Sequence, residues 1–324
     1  MSIAPRQLGL PLVLSIALLH GAHLYAADNT QADALLQQGK VDQAAALLQN
    51  TLAAQPNDAP AHLLLCRVYY AQDMTDAAVR ECELAAAYAP NDSDTQMWLG
   101  RAYGLKASHV SAFSAFGYAK KVHASFERAV QLGPANVHAM NDLGEFYIAA
   151  PGIVGGGMDK AQALATKMQS RFPSQSHRLL AMIAEKKKDM ATAETEFKAA
   201  VATGRTPEAY VDLGHFYQRQ GQLDRALEPL QAAIDADHRK DAALVDVASI
   251  LTVAHRSPQL AVDALREYLA STAKSDAAPA FKVHVQLGRL LASRGDTAGA
   301  RREYAAAIAL ASHYEPARKA LKGS

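Results

Sequence analysis

Residues 150–157 read APGIVGGG, four glycines and a proline in eight positions. A phosphate-cradling loop asks for G-x-x-x-x-G-K-[ST] between a strand and a helix, so that glycine N–H groups and a lysine converge on the anion. Gly152 and Gly157 have that gap, but Met158 stands at the lysine position and Asp159 at the hydroxyl position. Helical periodicity, not a strand, precedes the run, which therefore reads as a wide turn. Successive glycine N–H groups at a helix start leave weak anion binding as the other reading. The twelve histidines are scattered, with no His-x-x-Glu-His and no Cys-x-x-Cys, so no metal site is expected. No G-x-S-x-G elbow occurs either. The expectation is a protein that is not an enzyme, with no cofactor and no metal.

The two cysteines, Cys66 and Cys82, flank Met74 at equal distance. In an antiparallel helical hairpin turning near Met74 they face each other at one height. An oxidising compartment invites a disulfide there, worth roughly 3 kcal/mol for a loop of this size. Two reduced, buried small side chains are the alternative.

The elements that must position these residues follow from composition and pattern. The chain has 324 residues, of which 50% are hydrophobic and 20% charged, which suits an ordered, core-forming protein. A formal net charge of +1, with no dense Lys/Arg stripe interleaved with aromatics, argues against a nucleic-acid partner. An apolar run from about Leu8 to Ala22, after Arg6, is followed by small residues up to Ala26. It is shorter than the ~20 residues of a bilayer span and is interrupted by Pro11 and His20. It reads as a signal peptide, residues 1–26, cut after Ala26; an uncleaved anchor is the other reading. The mature chain is then expected without an integral membrane span, in an exported compartment such as a bacterial periplasm.

Four heptamers repeat along the chain: MWLGRAY (97–103), NDLGEFY (141–147), VDLGHFY (211–217) and VQLGRLL (285–291). After each come a polar turn and a second helical pattern, such as FERAVQLGP (126–134) and REYAAAIALA (302–311). Apolar residues recur at three- and four-residue spacing, as amphipathic helices require. Gly or Ala at one crossing point lets paired helix axes approach, and bulky neighbours interdigitate around it. One such pair cannot bury its apolar face alone, so the pairs stack.

This pattern resembles the tetratricopeptide repeat, of ~34 residues in two antiparallel helices. Leu65, Tyr69, Ala78, Ala85 and Pro90 carry the likeness in one copy, and Leu213, Gly214, Tyr217, Gly221, Ala226 and Ala233 in another. The resemblance implies an all-α solenoid of about eight hairpins: 27–58, 59–92, 93–136, 137–173, 174–206, 207–240, 241–276 and 281–314, with a polar capping helix at 315–324. The third unit carries about ten extra residues within 104–129, expected to lengthen both of its helices. Ala112, Phe113, Phe116, Tyr118 and Ala119 would form an apolar tip there, packed on the next unit or open to a partner or lipid. The fourth unit's extra residues are the glycine run, placed between its two helices.

The resemblance further implies a scaffold for protein or peptide partners, gripped by the first helix of each unit along a concave groove. By register the groove residues are Arg67, Tyr70, Met97, Arg101, Asn141, Glu145, Arg178, His215 and Arg289. The Lys/Asn pattern of family members that clamp a terminal carboxylate is absent. A carrier of lipid or another apolar ligand, using residues 104–129, is the alternative.

Overall fold

The computed structural model describes residues 28–324; the expected signal peptide and its cleavage site lie outside the described residues. The chain forms eight helical hairpins and a last single helix, with no strand among the described residues. They are α1 (28–37) with α2 (Val41–Ala54), α3 (Ala59–Ala71) with α4 (Thr75–Tyr88), α5 (Ser93–Ala107) with α6 (Ala112–Leu132), and α7 (Val137–Ala149) with α8 (Met158–Met168). Then come α9 (Pro173–Lys186) with α10 (Met190–Gly204), α11 (Pro207–Arg219) with α12 (Leu223–Ala236), α13 (Ala243–Val253) with α14 (Pro258–Ala270), α15 (Ala280–Ser293) with α16 (Thr297–Leu310), and α17 (Glu315–Lys322).

Local chemistry sets the helix ends. Asp58, Asp92, Asn136 and Thr206 each accept a hydrogen bond from the backbone N–H three residues on, capping the first helices of their hairpins. Gly39, Gly221 and Gly295 adopt left-handed backbone in the turns inside their hairpins, where Asp73, Lys188 and His255 do the same without being glycine. Ala78, Ala193, Ala226, Ala261 and Ala300 are buried at the helix crossings. Opposite the crossing, a Cβ on Gly214 would lie 2.7 Å from Leu230, and one on Gly288 would collide with Tyr304. The Leu-Gly motif is thus a demand for close helix approach.

Three histidines that look scattered hold equivalent places. His62, His177 and His284 each bond a glutamate on the second helix of their own hairpin: Glu81 at 2.8 Å, Glu196 at 2.7 Å and Glu303 at 2.7 Å. They tie the two helices of a unit together. No group of His, Cys, Asp and Glu able to hold a metal occurs among the described residues. Cys66 and Cys82, both fully buried, are joined as a disulfide with Cα atoms 5.3 Å apart.

Two expectations need correction. The extra length of the third hairpin falls on one helix: α6 has 21 residues, whereas α5 has 15 and is close to its counterparts. Ser111 caps α6 early, so its first turns project past the body. Phe113 is 93% exposed there and Phe116 40%, so the tip is open rather than packed on the next unit. The second correction concerns the ends. The capping helix expected at 315–324 does not close a free end: Leu36, Val41 and Leu48 share one buried cluster with Phe281, Val285, Ala311, Tyr314 and Ala317. Arg67 donates to Asp276 at 2.8 Å, Lys282 to Asp73 at 2.8 Å, and the Ser312 N–H to Asp42 at 2.7 Å. The superhelix closes on itself, and α17 lies at the seam.

The glycine run is a built turn. Gly155 N–H donates to Gly152 O, Gly156 N–H to Pro151 O and Gly157 N–H to Tyr147 O, all within 3.2 Å. Val154 is buried, and a Cβ on Gly156 would collide with the Ala150 carbonyl. The N–H groups of the three successive glycines are thus bonded within the loop and not presented to an anion.

Candidate partner-binding groove

The first helices of the hairpins line the concave face, and the residues flanking each Leu-Gly pair point into it. Leucine and glycine must face the core, so at 100° per residue their immediate neighbours turn toward the lumen. Those neighbours are Trp98 and Arg101, Asp142 and Glu145, Asp212 and His215, and Gln286 and Arg289. The sequence-derived set found the second member of each pair and missed the first. Met97, chosen in place of Trp98, is 5% exposed and belongs to the core. The signal was present: the residue before Leu-Gly is large or polar in all four copies.

Trp98, half-buried, is the centre of the N-terminal part of the groove. The Arg101 guanidinium lies 4.7 Å from its ring centroid and that of Arg67 5.4 Å, and Tyr70 meets it edge-on at 5.5 Å. A cleft of about 500 Å³ opens over these residues, with Asp142, Glu145, Phe146 and Asp276 on its walls.

The arginines predicted to face a partner are largely held within the chain. Arg101 grips Asp142 of the next unit through Nε at 2.6 Å and Nη2 at 3.3 Å. Arg178 bridges Glu145 at 2.8 Å and Asp212 at 2.9 Å, joining three consecutive units. Arg219 forms a bidentate pair with Glu185. Arg67 is committed to closure, between Asp276 and Asp33, at 3.1 Å from the latter. A cleft of about 480 Å³ above the Arg178 ladder is lined by Glu145, Ile148, Met182, His215 and Arg219. Asn141 lies in an adjoining cleft that Asp246 also lines.

Beyond Asp212 the ladder stops. Asp246 has no basic partner among the described residues, and its pKa is pushed up to about 6, first by enclosure and then by the like charges of Asp212, Glu208 and Asp241. Arg289, exposed, has no carboxylate partner there either. Between these two units the groove contact is neutral, Gln286 donating to the Ser249 hydroxyl at 2.9 Å.

Tetratricopeptide repeat family models match residues 35–102 and 207–238. Among curated proteins the chain is similar to the BBSome complex member BBS4 homolog of Drosophila melanogaster. The two are 25% identical over 193 residues, 55% of this chain and 37% of that one. Among solved structures it is similar to yeast Tom70, with TM-score 0.53 and 17% identity over 87% of this chain and 57% of that one. A tetratricopeptide repeat protein of Thermus thermophilus aligns with TM-score 0.43 and 20% identity over 72% of this chain and 97% of that one. The chain thus spans 37% of the curated relative. The Tom70 likeness shows a shared helical-repeat fold.

Proposed function

From the premise that the chain is a tetratricopeptide repeat protein, we propose that it is an exported scaffold that holds a protein or peptide partner along its concave groove. Proteins of this repeat generally mediate protein–protein interaction. The observation that carries the reading is Trp98, half-buried in the groove with an arginine on either side and a tyrosine at its edge. Tryptophan, tyrosine and arginine are the side chains that most often dominate the energetics of protein interfaces. Each can bury a large area while keeping a polar edge in water. Catalysis forms no part of this reading.

Export is supported by the Leu8–Ala22 apolar run and by the Cys66–Cys82 bridge, since structural disulfides persist chiefly in oxidising compartments. Cell fractionation with mass analysis of the recovered protein tests it. The expected product starts at Ala27 in the exported fraction, and a full-length protein in the cytosol overturns export.

The groove is tested by affinity capture after crosslinking in intact cells, comparing the wild-type chain with Trp98→Ala. The expected result is loss of the specific partner from the variant with its thermal unfolding little changed. Undiminished capture contradicts the reading. A second reading, a carrier of lipid or another apolar ligand, draws on the exposed Phe113 and Phe116 at the end of α6. Native mass spectrometry that finds stoichiometric lipid, lost on Phe113→Ser, favours it; lipid-free protein removes it.

A further inference from the structure

A cleft of about 660 Å³ lies between α13 and α15, beside the closing seam. Its walls carry Arg256, Lys282, Arg289, Arg294 and His255, and no Asp or Glu. The clefts over Trp98 and over Arg178 differ in this respect, each having three carboxylates on its walls. Lys282 reaches Asp73 and Arg256 reaches Asp224, both acids lying outside the cleft, while Arg294 donates to the Gln259 amide oxygen. Arg289 keeps no carboxylate among the described residues. Four cations therefore face two carboxylates, and the excess converges on one concavity. Val285 and Leu290 are buried beneath the cations, and this apolar floor strengthens the pull on an incoming anion.

The chain itself holds an example of what such an arginine receives. Arg67, Arg101 and Arg289 occupy one register in their helices, two residues after the paired Leu-Cys, Leu-Gly and Leu-Gly positions begin. Arg101 holds an aspartate from a helix. Arg67 holds Asp276, which is delivered by the irregular segment 271–279, and the Asp276 N–H donates to Gln37 at 3.1 Å. The groove thus already reads an acidic side chain from a non-helical turn at one of three equivalent places.

We propose that the α13–α15 cleft seats an acidic, non-helical segment of the protein partner, with a carboxylate on Arg289. This rests on the groove reading above and specifies the chemistry of its ligand. The test is fluorescence anisotropy of the full chain with a labelled peptide alternating Glu and Ser, against its Gln/Ser analogue. The Glu/Ser peptide is expected to bind, more weakly as salt rises, and the Gln/Ser peptide at least tenfold more weakly. Arg289→Glu should weaken the Glu/Ser peptide roughly tenfold or more, the scale of a lost charge-assisted hydrogen bond. Arg289→Lys should recover part of that loss, and circular dichroism of both variants should match the wild type. Absence of Glu/Ser binding, or binding indifferent to Arg289→Glu, overturns the proposal. So does single-stranded RNA that binds more tightly with the same dependence on Arg289. In the crosslinking capture, a partner lost on Trp98→Ala but kept on Arg289→Glu leaves the groove reading intact and removes this one. A partner kept by both variants removes both.

Discussion

From the third to the sixth unit, a ladder of groove charges is matched one unit away: Arg101 with Asp142, Glu145 with Arg178, Arg178 with Asp212. In the seventh and eighth units Asp246, at the first flanking position, and Arg289, at the second, face the same lumen and meet no opposite charge among the described residues. The two regions share a fold and a register, so the difference lies in side chains alone. Pairs that cross a seam hold neighbouring units at a fixed angle. Unpaired groups do nothing for the solenoid, which leaves them for something outside it. An arginine in a repeat groove is therefore weak evidence of a binding site until its neighbours in the adjoining units are known.

The largest effect should come from the covalent clamp in the second unit. Replacing Cys66 and Cys82 together by serine is expected to cost roughly 3 kcal/mol in chemical denaturation. An equal midpoint for oxidised and reduced wild type would show that the bridge contributes nothing. Next, Arg178→Ala strands Glu145 and Asp212 in the groove and should cost about 1–2 kcal/mol. Arg289→Ala, at the unmatched end, should stay within about 0.5 kcal/mol. Equal losses from the two substitutions would erase the distinction between the regions.

Asp246 sharpens the comparison through pH. Its folded pKa, about 6, lies above the ordinary 3.8, so the folded state favours the protonated form. That stabilisation is complete below 3.8 and is lost as pH rises through about 6. Asp246→Asn should therefore melt higher than wild type at pH 8, with the gap closing toward pH 4. A gap independent of pH would contradict the enclosure of this carboxylate. The smallest effect belongs to a turn. Lys188 holds left-handed backbone with φ 66°, and Lys188→Gly should raise stability by about 0.5 kcal/mol. The same substitution at a right-handed helical position such as Lys186 should lower it.

Most of the architecture was legible in the chain. The Leu-Gly heptamers announce hairpins because leucine and glycine have one shared task, burial at a crossing, which any unit must meet alone. The glycine run was legible as a turn because no strand precedes it and the lysine is missing. What escaped depends on relations between units. Trp98 was passed over for Met97 because the helix faces were assigned by register one residue early, although the Leu-Gly pair itself fixes which neighbours turn inward. The internal pairing of Arg101 and Arg178 depends on how adjacent hairpins stack. Closure was invisible for a similar reason: it requires Asp276 and Lys282 to meet Arg67 and Asp73 across 209 residues, and small changes of angle at each seam decide whether the ends meet. The three His–Glu ties carry a visible cue, a constant spacing of 19 residues within the unit, which is not a metal-ligand spacing.

The most direct test of the account is site-specific photocrosslinking in living cells, with the reactive side chain placed at Gln286 inside the groove or at Arg302 on the outer helix α16. The account predicts a discrete protein adduct from position 286 and none from 302. Adducts from 302 with none from 286 would mean that the concave face is not where this protein holds its partner.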